Sequence, residues 1–168
     1  MPEASRYLHG GEERETLLRG PLGAVLLFAS SGDNGFALVE HPLAPRALGA
    51  LVHTHRNEDE YSYVLEGTIG VEIDGETIEA RAGDLVEKPR GIPHAFWNPT
   101  DEPARILELI VPGGFERYFA ELDAIFAAPG PPDLAALAGL AASYDLEIDP
   151  ESVPRLAAAH GLVLPGLT

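Results

Sequence analysis

The chain has 168 residues with 27 acidic and 11 basic side chains, which gives a formal net charge of −16. Its 45% hydrophobic content is enough for a buried core, and its length predicts one compact domain with a small appendage. One lysine and ten scattered arginines argue against binding to nucleic acid or anionic membranes, and the absence of cysteine excludes thiolate metal sites and thiol nucleophiles.

The polar N-terminal residues 1–6 lack the apolar core of a signal peptide, so we expect a cytoplasmic protein. Short segments rich in Val, Ile, Leu, Phe and Tyr follow, separated by Gly, Pro, Asp and Asn. They predict strands at 24–30, 36–41, 48–55, 60–66, 68–73, 76–80, 84–88, 94–98 and 104–111. Asp74-Gly75 predicts a two-residue hairpin turn. Many short, evenly spaced strands indicate an all-β sandwich or barrel.

The apolar period changes to that of helices after residue 113. One stripe is formed by Phe115, Tyr118, Phe119, Leu122, Ile125 and Phe126, a second by Leu134, Leu137, Leu140 and Tyr144. A third helix is expected at about 150–160, with Gly161 at its C-terminal end. We therefore divide the chain into a β-region with an N-terminal extension, 1–112, and a helical segment packed on it, 113–168. Phe115, Tyr118 and Phe119 either simply pack this helix or also cover the barrel mouth.

Three of the six histidines occur in a pattern typical of a metal site. His53 and His55 are two residues apart, so on a strand both imidazoles project from one face. Glu60 opens the next strand and His94 a later one. Three imidazoles and one carboxylate suit one divalent transition metal, namely Fe, Mn, Ni, Co, Cu or Zn, with open coordination positions.

The same residues resemble two motifs of the cupin family. The first, G-x5-H-x-H-x3–4-E-x6-G, is matched by His53, His55, Glu60 and Gly67, although Ala47 replaces its opening glycine. Asp59 fits the shorter spacing, but the step to Gly67 selects Glu60. The second, G-x5-P-x-G-x2-H-x3-N, is matched at every fixed position, by Gly83, Pro89, Gly91, His94 and Asn98.

The resemblance implies a cupin jelly-roll β-barrel with the metal inside and a C-terminal α-helical appendage. It leaves the reaction open, because cupins include dioxygenases, isomerases, decarboxylases and binding modules. A short cupin followed by an aromatic-rich helix looks most similar to quercetinase-like bacterial cupins, in which case Glu60 would be both ligand and catalytic general base. The alternatives are a metal-dependent isomerase or lyase, and a non-catalytic cupin that binds a small ligand or metal.

Counting along the strands also gives an expected substrate pocket. Leu51, Val64 and Phe96 share faces with the predicted ligands, which predicts a mostly apolar cavity for a small, flat substrate. Asn98 either orients a ligand or caps a turn. Residues 24–30 are expected to form an exposed edge strand that needs covering, which favours a homodimer.

Overall fold

The computed structural model describes residue 9 and residues 13–30 and 35–163. Its strands are β1 (Glu15–Leu18), β2 (Ala24–Ala29), β3 (Ala37–Leu43), β4 (Leu48–His55), β5 (Asp59–Glu66), β6 (Thr68–Ile73), β7 (Glu76–Arg81), β8 (Leu85–Lys88), β9 (His94–Trp97), β10 (Ala104–Val111) and β11 (Leu146–Ile148). Its helices are α1 (Glu116–Phe126), α2 (Leu134–Ser143) and α3 (Ser152–His160). No helix in this part of the chain has the length and apolar character needed to cross a bilayer.

The strands form two antiparallel sheets, as expected for a jelly roll. One sheet has the order β1-β2-β3-β10-β5-β8 and the other β11-β4-β9-β6-β7. Alternate residues of each strand face inward, so Val39, Val64 and Ile106 from the first sheet and Val71 from the second are fully buried. Asp74 and Gly75 join β6 to β7 with positive φ at both positions, which confirms the predicted hairpin turn.

The prediction that residues 24–30 form an exposed edge strand is wrong. β1 pairs with β2 and covers it, and Leu17 and Leu18 of β1 are buried in the core shared with helix α1. β1 is not predicted from the sequence because four residues with only two apolar side chains do not form a recognisable period. β2 therefore needs no partner subunit to cover it, and the dimer stays a prediction.

The C-terminal segment contributes more than helices. β11, which was not predicted, pairs with β4 and places Leu146 opposite His55 and Ile148 opposite His53. α1 packs on β1, and α3 packs on β4, where Leu156 is fully buried with Trp97. α3 ends at Gly161 with φ 62°, the left-handed conformation expected there. The segment 113–168 is thus joined to the barrel by a strand as well as by helix packing.

Candidate metal centre

The four predicted ligands lie together between the two sheets. His53 and His55 come from β4 and His94 from β9, where His94 is directly opposite His53 in the ladder. Glu60 projects from β5 of the other sheet. One ligand atom from each of the four residues can be chosen so that all lie within 4.8 Å of one another. The period of two that places both β4 histidines on one face thus also aims them at a carboxylate across the barrel.

Hydrogen bonds fix the tautomer of each imidazole. The Nδ1–H of His53 donates to the backbone carbonyl of Leu51 at 2.8 Å, and the Nδ1–H of His94 donates to that of Ile92 at 3.0 Å. In His55 the same atom lies 3.3 Å from Oε2 of Glu58, a buried carboxylate that the sequence analysis did not single out. With Nδ1 used in this way, Nε2 of each ring is the atom left to bind a metal.

One buried atom of the cluster has no hydrogen bond. Nε2 of His55 lies 3.2 Å from Oε1 of Glu60, but the two are not aligned for hydrogen bonding, and the nitrogen has no other partner among the described residues. A cation between these atoms would pair with both of them. The donor set therefore fits a divalent metal, and three imidazoles with one carboxylate suit Fe, Mn, Co, Ni, Cu or Zn.

The electrostatics of the cluster keep the carboxylate ionised. Burial alone would raise the pKa of Glu60, but the charges of Lys88 and His55 hold that pKa well below its usual range. Desolvation and the neighbouring imidazoles of His94 and His55 lower the pKa of His53 well below its ordinary value. Desolvation opposes charging of His55, yet the charges and contacts of Glu60 and Glu58 raise its pKa to about 9.

Asp59, the alternative to Glu60, points away from the cluster. Its carboxylate accepts bonds from the guanidinium of Arg90, at 3.0 Å from Nε and 2.7 Å from Nη2. The choice of Glu60 follows from the alternation along β5, which sends the two neighbouring carboxylates to opposite faces.

The cluster opens on a cavity of about 760 Å³. Most of its wall is apolar, and its polar wall residues include His41, His53, His55, Glu60 and Glu108. Leu51 and Phe96 contribute to the wall as predicted. Phe115, Tyr118 and Phe119 also line it, and the ring of Phe115 lies 4.4 Å from that of His55, measured between centroids. The aromatic side chains that pack this helix are therefore also part of the cavity wall, and Phe115 contacts the cluster.

Two predicted pocket residues do not line the cavity. Val64 shares the inward face of Glu60 but lies four residues further along β5, fully buried among Leu43, Ile106 and other core side chains. Asn98 lies beyond the end of β9, where its Nδ2 donates to the carbonyls of Ala44 and Glu102. Asn98 therefore stabilises a turn, and a ligand-orienting role stays a prediction. Strand periodicity predicts the face on which a side chain lies but not its depth in the barrel.

Three inward polar residues were missed. His41, Lys88 and Glu108 are each about 1% exposed. Lys88 Nζ donates to Oε2 of Glu60 at 2.9 Å and to Oε2 of Glu108 at 3.0 Å. Glu108 shares the buried face of β10 with Ile106 and Ile110, so its inward position could be predicted from the strand period. A single polar residue among apolar ones forms no motif, however, and its function could not be predicted.

A jelly-roll barrel with a three-histidine, one-glutamate cluster defines a class of metal-binding β-barrel proteins. Residues 40–110 match the family Cupin_2, described as a cupin domain. This chain therefore contains a cupin domain over residues 40–110, followed by a helical segment.

Individual relatives agree with this assignment. The chain is 35% identical over 92 residues to polyketide synthase CurC of Streptomyces cyaneus, covering 54% of this chain and 55% of that protein. It is 26% identical over 116 residues to quercetin 2,3-dioxygenase of Bacillus subtilis (strain 168), covering 69% of this chain and 34% of that protein. The chain thus spans between a third and just over half of these curated relatives. An RmlC-like cupin from Shewanella frigidimarina NCIMB 400 shares the fold, with a TM-score of 0.54 and 24% identity. The match covers 65% of this chain and 93% of that one.

Proposed function

We propose that this protein is a metal-dependent dioxygenase that acts on a small, flat, aromatic or enolic substrate. The observation that carries the proposal is the cluster of His53, His55, Glu60 and His94, of which His53, His55 and Glu60 line a largely apolar cavity of about 760 Å³. Cavities of this size and character bury most of the surface of a small organic ligand. The likeness to a quercetin 2,3-dioxygenase supports the reaction class.

The charge of the ligand set supports an anionic substrate oxygen. Three neutral imidazoles and one carboxylate around a dication leave a net charge of about +1. The ion pair between Lys88 and Glu108 adds no net charge. A metal bound here would supply a Lewis acid for an enolate, phenolate or carboxylate oxygen and, if redox-active, a site for dioxygen activation.

The protein walls supply binding and exclusion of water. Leu51 and Phe96 from the barrel and the aromatic side chains of α1 present flat apolar surfaces next to the cluster. Such a wall favours a planar ring over a charged sugar phosphate, which would need several Lys or Arg side chains. Quercetin, the substrate in the name of the Bacillus relative, is a flat polyhydroxylated aromatic molecule and is the natural first probe.

A role for Glu60 as catalytic general base is part of this proposal and stays a prediction. The carboxylate is ionised, as a base requires, but its Oε2 already accepts from Lys88. A second buried carboxylate in the cavity, Glu108, also favours proton transfer, so a metal-dependent isomerase or lyase that does not consume dioxygen is the second candidate.

Dioxygen uptake separates these candidates. We expect protein loaded separately with Fe²⁺, Mn²⁺, Co²⁺, Ni²⁺ or Cu²⁺ to consume dioxygen with quercetin or a simpler flavonol, and an oxygen electrode with product analysis by mass spectrometry would measure this. His53→Ala/His55→Ala should lose bound metal and at least about 100-fold of the activity, because two of four ligands are removed. Glu60→Gln should weaken metal binding.

The matched control is Glu79→Gln, an exposed glutamate on β7 that should leave metal content and activity unchanged. Full metal content in the double histidine variant would contradict the metal centre. Metal-dependent conversion of a substrate without dioxygen uptake would replace the dioxygenase with the isomerase or lyase.

A further inference from the structure

A second carboxylate lies inside the same cavity, and the metal cluster does not use it. Glu108 faces inward from β10, directly opposite Ser62 of β5. Its Oε2 accepts from the Ser62 hydroxyl at 2.8 Å and from Lys88 Nζ at 3.0 Å. Its Oε1 is buried and has no hydrogen-bond partner among the described residues. One oxygen thus completes the ion pair, while the other, in a residue of the cavity wall, is unused.

The unused oxygen is not needed for the stability of the ion pair. Lys88 is shared between Glu60 and Glu108, and both contacts use Oε2 of the respective carboxylate. Buried carboxylate oxygens usually accept at least one hydrogen bond, because an unpaired buried acceptor costs free energy. Glu108 is a residue of the cavity wall, so a small rotation of its side chain would bring this unpaired oxygen to a group that a ligand carries.

His41 adds a second acceptor in the same cavity. This residue faces inward from β3, where it lies opposite Ile106, two residues from Glu108 on β10. Its Nδ1–H donates to the carbonyl of Gly23 at 2.7 Å, so Nε2 carries the lone pair, and Nε2 has no hydrogen bond to any described residue. Burial lowers the pKa of His41 to about 4, which keeps the ring neutral and accepting. Phe96 and Phe119 pack against its ring, and the charges of Lys88 and Glu60 also act on its pKa, in opposite directions.

We propose that Glu108 is a specificity-determining residue that binds a hydroxyl group of the substrate through Oε1, with His41 as an adjacent acceptor. The substrate class is then a flat molecule with at least two oxygen groups, one at the metal centre and a hydroxyl at Glu108. The contact at the metal centre rests on the proposed function, whereas the contact at Glu108 depends only on the cavity.

The chemistry of Glu108 favours a hydroxyl over an ether. Burial raises the pKa of Glu108 to about 7, although Lys88 opposes this shift. The ionised form of Oε1 accepts a hydrogen bond and the protonated form donates one. A hydroxyl serves both forms, whereas a methyl ether lacks the donor that the ionised form requires. The charged and polar groups that act on Glu108 are Lys88, Glu60 and Ser62, and His41 lies on the adjacent strand β3.

The test compares matched probes on protein loaded with Zn²⁺, which prevents redox turnover. The probes are the three dihydroxybenzene isomers and their monomethyl ethers, and Kd is measured by NMR titration at pH 8.5. We expect at least one isomer to bind about 10-fold more tightly than its ether, as for a hydrogen bond to a charged group. Glu108→Gln should reduce this preference to less than about 2-fold, because the amide oxygen is expected to remain with Ser62 and Lys88 and the amide NH₂ to face the cavity.

Two controls keep the result interpretable. Glu72→Gln replaces another buried glutamate, which pairs with Arg155 away from the cavity, and should leave the preference unchanged. If Glu108→Gln does not fold, the side-chain carboxyl ¹³C resonance of Glu108 in the wild type should shift with the hydroxylated probe and not with its ether.

Equal binding of every hydroxyl and ether pair, absence of binding by all probes, or a preference retained in Glu108→Gln would overturn the proposal. A preference that depends on Glu108 in a protein that consumes no dioxygen would instead overturn the proposed function alone. Dioxygen uptake without any hydroxyl preference would overturn this inference and leave the proposed function standing.

Discussion

Titratable residues inside this barrel differ in their protonation although all of them are buried. Glu60 is held ionised next to three imidazoles, Glu108 has an elevated pKa and one free oxygen, and His41 is kept neutral. The difference arises from their partners, since all three are almost completely buried. Assignment of roles at this site therefore depends on hydrogen bonds more than on residue type.

His41 should make stability depend on pH in a defined window. Its pKa is about 4 in the folded chain against an ordinary value of 6.5, mainly because of burial. Below pH 6.5 the unfolded chain binds a proton that the folded chain does not, so the free energy of unfolding falls as the pH decreases towards 4. The total loss is roughly 3.5 kcal/mol, at about 1.4 kcal/mol per pKa unit.

Urea unfolding at pH 7 and pH 4.5 would measure this loss. We expect His41→Gln to lose less stability than the wild type over this range, by about 2–3 kcal/mol. Identical pH dependence in wild type and His41→Gln would show that His41 is not buried in its neutral form.

At the scale of elements, turns and strand ends position the cluster. β9 ends at Trp97, and the side chain of the next residue, Asn98, makes hydrogen bonds to the backbone at Ala44, Thr100 and Glu102. Its Nδ2 donates to Ala44 and Glu102 carbonyls, and its Oδ1 accepts from the backbone N–H and the hydroxyl of Thr100. The motif asparagine therefore holds the end of the strand that begins with His94, and it does so without contacting the cavity.

Asn98→Ala should reduce stability and spare the metal centre. Several buried polar groups lose their partner, which is expected to cost about 2–4 kcal/mol. Thermal unfolding would report the loss, and elemental analysis should show unchanged metal content. Asn57→Ala is the matched control, since Asn57 is exposed and makes one side-chain hydrogen bond, to Asp145. Loss of metal from a folded Asn98→Ala protein would favour the ligand-orienting role that the geometry argues against.

At the scale of the whole molecule, the helical appendage and the barrel share their cores. Phe115 and Phe119 are buried with Leu17, Leu18 and Ile110, and Leu156 of α3 is buried with Trp97. The ion pair between Arg155 and Glu72 adds a second connection between α3 and β6. The division at residue 113 marks a change in secondary structure, and these contacts predict one cooperative unit.

Leu156→Ala tests this cooperativity. Leu156 is fully buried, and its truncation should lower the free energy of unfolding by about 2–5 kcal/mol. Circular dichroism and Trp97 fluorescence should follow one shared transition in both proteins. Leu134→Ala removes the same atoms from a side chain that is 77% exposed and should change stability by less than about 0.5 kcal/mol. Separate transitions for helix and barrel signals would contradict a single unit.

The sequence by itself determined the strand-rich β-region, the three helices and the four residues of the candidate metal cluster. Alternation places His53 and His55 on one face and the apolar stripe of α1 has the period of a helix, whereas the resemblance to the cupin motifs implied the jelly roll and selected Glu60 over Asp59. Leu51 and Phe96 were found in the same way.

Only the tertiary structure decided how deep each inward residue lies and which residue it meets across the barrel. It placed Val64 in the closed core and Asn98 in a turn, and it joined Lys88 to carboxylates 28 and 20 residues away in the chain. It also paired β1 with β2 and β11 with β4. These outcomes depend on strand register and on contacts between distant segments, and a periodic pattern within one strand contains neither.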